Sequence, residues 1–179
     1  MKITYDEISS ESKLIVSAMS SSNKVVPSAF QPLKRVSRHF ALFIIFCVID
    51  FFVFNLKHEG STGVWFLFFG FGVLNWLFLF AFFYGYDVLF SMIDEKSVRD
   101  LKMVKIMKGK IKHYGLVWAA LIVLLGVGSA VTELNVALLV IGNFVGSILL
   151  MFAFNADISR YQISAVMGAV SAVRDNIKG

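Results

Sequence analysis

The sequence predicts an all-α fold: a polytopic membrane protein built as a four-transmembrane-helix bundle, with amphipathic helices on its cytoplasmic side. Three observations carry that prediction. Of 179 residues, 58% are hydrophobic and 16% charged, against roughly 45–50% and about 25% in a soluble domain, so water cannot be the whole solvent. The apolar residues gather into four runs, each long enough to cross a hydrocarbon core about 30 Å thick as a helix. Of the 17 lysines and arginines, sixteen lie in segments that four crossings place on one side, and only Lys57 falls in the connections opposite. Under the positive-inside rule that side is the cytoplasm, so both termini and the central loop are expected there. The net charge of +5 is thereby read as orientation, with attraction to anionic headgroups as a second use. No nucleic-acid partner is expected.

Residues 1–38 form a cytoplasmic amino-terminal arm. Thr4-Tyr5-Asp6-Glu7 has the S/T-x-x-E form of a capping box, and Ile8, Ile15 and Met19 fall on one stripe, with Leu14 and Ala18 beside it. A short amphipathic helix should fray through Ser20-Ser21-Ser22-Asn23, and Pro27 and Pro32 then set an extended linker into the first span. With a mixed polar segment ahead of the first apolar run, no cleavable signal peptide is expected.

The membrane domain covers 39–154, with spans at about 39–56, 64–86, 114–132 and 136–154. All four are read as helices, because a barrel would show alternating segments of about ten residues. The two outer connections are short, Lys57 to Gly63 and a turn around Thr132-Glu133-Leu134-Asn135, too small for a receptor domain. Inside, the loop 88–113 contains a basic amphipathic helix: Leu101, Val104, Met107 and Ile111 recur at helical spacing, while Arg99, Lys102, Lys105, Lys110 and Lys112 lie largely opposite. It either lies on the inner leaflet, facing lipid or a partner, or extends a neighbouring span. Residues 155–179 form a carboxyl-terminal helix with Ile163, Val166, Met167, Val170, Val173 and Ile177 as its stripe, docking on its own bundle or on another protein.

Charge inside a span is costly, about 2.5–3.5 kcal/mol for Asp on insertion scales, so Asp50 in the first span stands out. Asn75 and Asn143 lie near the middles of the second and fourth. The three are expected at similar depth, the amides hydrogen-bonding the carboxyl. Asp50 either lines a polar path or binds helices together. Asp87 is placed near the cytoplasmic end of the second span. For helix packing, Gly142 and Gly146 make a GxxxG, and Gly126 and Gly128 give the third span a small face, serving contacts within the chain or between chains. Trp65 and Trp118 suit anchoring at the membrane interfaces.

Catalysis finds no support in HExxH, nucleophile-elbow or phosphate-loop motifs. His39, His58 and His113 are scattered at span edges, and the single cysteine, Cys47, lies within the first span. A non-enzymatic protein is therefore expected, without metal or cofactor. Its partners are the lipid bilayer and another membrane protein, with a homo-oligomer, including a channel or transporter subunit, as the open alternative.

A short chain with four spans, an arm from Met1 to Arg38, a basic loop from Lys96 to Lys112 and almost no external mass resembles the conjugative entry-exclusion proteins of the TraS type. It is similar also to the four-span immunity proteins that protect cells from pore-forming toxins. The resemblance covers the whole chain as architecture and carries over no functional residue. It implies residence in a bacterial inner membrane and recognition of a partner: a mating-pair protein delivered by a donor cell, or the helices of an inserted toxin.

Overall fold

The computed structural model describes residues 3–20, 31–57, 62–93, 98 and 100–178. Among them are five α-helices and no strand: α1 (Tyr5–Ser20), α2 (Gln31–Lys57), α3 (Thr62–Ile93), α4 (Lys102–Val131) and α5 (Asn135–Lys178). Four of these, α2 to α5, are long and apolar enough to cross a membrane.

Helix α1 starts where its capping box says it should. Thr4 Oγ1 accepts from the Glu7 amide at 3.3 Å, and Glu7 Oε2 accepts from the Thr4 amide at 3.0 Å, closing two of the amino-terminal N–H groups reciprocally. The stretch expected to fray lies mostly outside the described residues. Helix α2 starts at Gln31 rather than near residue 39, which replaces the expected extended entry through Pro32. Proline in a first turn gives up an N–H that has no helical partner anyway, and the following Leu, Lys and Arg are good helix formers.

Two further boundaries move for one reason. The basic segment is no separate helix: α4 runs unbroken from Lys102 through the third span, the second of the two arrangements open from the sequence. The tail likewise continues the fourth span, as one 44-residue helix α5. Ending a helix leaves four carbonyls to be satisfied, and both prolines of the chain precede residue 33, so nothing stops the ladder at the edge of the apolar run. Between α4 and α5 the chain does stop. Thr132 still donates to Gly128 O, the Asn135 side chain donates to Glu133 O at 2.8 Å, and Asn135 takes φ 46°, a left-handed conformation asparagine tolerates better than most residues.

The chain divides into two compact units: residues 1–27, 87–113 and 152–179 form the first, and 28–86 with 114–151 form the second. In the first, Ile8, Ile15, Val98, Val104, Met107 and Ile158 are buried. The second holds the core of the four spans, with Phe43, Cys47, Ile122, Leu139 and Val140 fully enclosed and Trp65, Trp76 and Trp118 nearly so. No more than 28% of the residues in any spanning window are buried within the chain. The rest, Phe66, Leu67, Leu74, Phe78, Leu124 and Leu149 among them, present an apolar surface suited to lipid.

Candidate functional site

Helix contacts set the levels at which polar side chains meet in the second unit. A Cβ built on Gly72 of α3 would stand 2.9 Å from Phe43 Cζ of α2 and 3.2 Å from Val140 Cγ2 of α5, so three helices converge there. One turn further along α3 and α5 come Asn75 and Asn143, and one turn back along α2 comes His39. These three therefore share a level, and α4 contributes Trp118 to it. The Trp118 ring stacks on His39 at 4.8 Å and on Trp76 at 5.0 Å, and its Nε1 donates to Asn143 Oδ1 at 3.1 Å. His39 Nε2 lies 2.9 Å from Gly115 O, and because a carbonyl only accepts, that nitrogen carries the proton.

Asp50 sits elsewhere. It lies seven residues from Phe43 in the opposite direction, which with the turn to the amides separates it from them by about 15 Å at 1.5 Å per residue. Its carboxylate Oδ2 instead accepts from Trp65 Nε1 at 3.0 Å, with Asp50 only 1% exposed. The expected cluster of Asp50, Asn75 and Asn143 thus separates into a pair and a layer: Asn75 and Asn143 share depth, and neither amide hydrogen-bonds the carboxyl. Trp65 and Trp118, expected at the interfaces, are buried among the helices. An indole N–H is a strong donor on an otherwise apolar plate, so it satisfies a buried acceptor while filling core volume.

The glycines place α4. The Phe46 ring of α2 lies directly over Gly126, Leu138 Cδ2 lies 3.1 Å from a Cβ built on Gly128, and Leu125 and Leu121 of α4 lie over Gly142 and Gly146 of α5. The GxxxG face is occupied by a leucine pair of the same chain.

The first unit carries the basic segment. Glu11 of α1 accepts from the Lys102 and Met103 amides at 3.1 and 2.7 Å, capping α4 from another helix. Glu7 pairs with Lys102 at 2.5 Å, and the ammonium holds the Glu7 carboxyl below its ordinary value of 4.5. Ser12 Oγ approaches Met103 Sδ at 3.8 Å. Lys110 pairs with Asp157 of α5 and stands 5.9 Å over the Tyr161 ring. Of the five basic residues proposed to face lipid or a partner, Lys102 and Lys110 are engaged within the unit, Lys105 pairs with Asp100, Lys112 is exposed, and Arg99 lies outside the described residues. The side chains of the carboxyl-terminal stripe from Ile163 and of Asp87, and the whole of His58, also lie outside what the structure describes. Among the described residues no group of three His, Cys, Asp or Glu side chains is placed to hold a metal ion. No family model, curated protein or solved structure matches the chain, so its functional reading rests on this geometry.

Proposed function

We propose that the protein acts without catalysis, by binding another membrane protein through the outward faces of its spans and blocking that protein's action. The observation that supports this is the distribution of apolar mass. Phe43, Trp76, Trp118, Ile122 and Leu139 fill the space between the spans, which favours an inert scaffold over a conduit within one chain. Most of each span faces outward. The most concrete form is entry exclusion, in which a multi-pass protein of the bacterial inner membrane, with both termini cytoplasmic, stops redundant conjugative DNA transfer into its cell.

Expressed in a recipient, the protein should lower transfer frequency from a donor carrying a related plasmid. Alanine at Leu67, Leu74 and Phe78, three exposed residues of α3, should weaken the effect while leaving protein levels unchanged. Unchanged transfer from every related donor would sink the exclusion form. Protection from a pore-forming toxin in the same cells would move the reading to immunity. Purification from native membranes should bring the partner along, and a closed ring of copies passing ions in liposomes would instead make the chain a channel subunit.

A further inference from the structure

The layer around Trp118 leaves five hydrogen-bonding atoms without a protein partner: Asn75 Oδ1 and Nδ2, Trp76 Nε1, Asn143 Nδ2 and His39 Nδ1. Asn75 is 5% exposed and Asn143 0%, so bulk solvent does not reach the amides, and hydrocarbon offers no partner either. The Asn143 amide cannot be turned around to mend this. Its Oδ1 already accepts from the Trp118 indole, which fixes Nδ2 as the free end. With His39 Nε2 donating to Gly115 O, the corresponding tautomer leaves Nδ1 as an acceptor.

We propose that His39, Asn75, Trp76 and Asn143 form an internal water-binding site between the spans, at the level of Trp118. The chemistry of the set selects the ligand. It offers donors from two amides and an indole and acceptors from Asn75 Oδ1 and His39 Nδ1, with no acid and no thiol. An anion would meet no cation in this set, and a metal ion would find only two ligating atoms. Water donates two hydrogen bonds and accepts two, and buried waters typically bridge two to four such groups. One or a few molecules held between α2, α3 and α5 would satisfy the layer and tie the three helices together. The other indoles supply contrast, since Trp65 donates to Asp50 and Trp118 to Asn143, leaving Trp76 alone among the three tryptophans with a buried N–H that no protein group accepts.

The test is proton NMR of the full-length protein in micelles, reading magnetisation transfer from water to each indole Nε1–H. A water cross peak is expected at Trp76 and not at Trp65 or Trp118. In Asn75→Leu, whose larger apolar side chain removes two of the five groups and takes up the space, the Trp76 peak should be lost while the other two indole resonances keep their positions. No water contact at Trp76 in the wild-type protein would overturn the proposal. So would equal contact at all three indoles, which would mean general solvent entry, or a Trp76 peak unchanged in Asn75→Leu.

Discussion

At the scale of single residues, the two polar side chains Asp50 and Asn143 are each held by an indole from another helix, while His39 bonds the Gly115 carbonyl. The Trp65–Asp50 pair was half legible in the sequence. Asp50 stands out as an acid inside an apolar run, and folding the chain back about the short loop near residue 60 brings it opposite residues close to Trp65. What hid the pairing is the ordinary reading of a span-end tryptophan as an interface anchor, which periodicity cannot tell from a buried one. His39 and Trp76 were not singled out as a pair, because only the tertiary register puts them beside the same ring. The geometry makes a sharp statement about Asp50. Trp65→Phe keeps an aromatic ring against Phe51 and Phe69 but removes a buried donor from the carboxyl, an omission that costs about 1–3 kcal/mol. Asp50→Asn keeps an acceptor oxygen for the indole and removes an ionisable group from the span, so it should be tolerated better. Thermal unfolding in micelles should rank Trp65→Phe below Asp50→Asn, and the reverse order would remove the indole bond from the account.

At the scale of elements, helix existence was readable, as were the start of α1 and the turn between α4 and α5, while the starts of α2 and α4 and the end of α5 were not. Composition and run length mark where the bilayer needs a helix, but a helix stops where its hydrogen bonds can be closed. With prolines only at 27 and 32, α4 and α5 overrun the apolar segments. The packing glycines were readable as small faces without their partners, and the partners decide what a substitution does. Alanine at Gly142 would put its Cβ 2.5 Å from Leu125 Cδ2, the tip of a side chain that can rotate away. Alanine at Gly126 would meet the Phe46 ring at Cγ, Cδ1 and Cδ2. That ring is rigid and lies flat over the glycine, so the helices themselves must separate. Overpacking of this kind costs typically 1–3 kcal/mol. Gly126→Ala should therefore destabilise the folded protein measurably more than Gly142→Ala, read as the fraction folded across a denaturant series in detergent. Equal losses would mean that the Phe46 contact is not a constraint on α4.

At the scale of the whole molecule, two independent lines bear on how the chain lies in a membrane. Charge asymmetry ranks the two faces, and it is a statement about sequence alone. Contacts in the first unit add a constraint of another kind: Glu7 and Glu11 hold the start of α4, and Lys110 of α4 holds Asp157 of α5. Groups joined by ion pairs cannot lie on opposite sides of a bilayer, so the arm, the basic segment and the residues around Asp157 must share one face. The sixteen cations predict that this face is the cytoplasmic one, and four crossings of the chain predict the opposite side for the turn at Thr132–Leu134. Cysteine accessibility tests both statements together. In a Cys47→Ala background, single cysteines at Lys13 and Lys112, both exposed, should react with a membrane-impermeant maleimide in inverted vesicles and stay protected in intact spheroplasts. Glu133→Cys should show the opposite pattern. Labelling of Lys13→Cys and Lys112→Cys from different sides would break the first unit apart, because its ion pairs could not then form. Labelling of both from outside would leave that unit intact and reverse the orientation inferred from charge, so the experiment separates the contribution of contacts from that of composition.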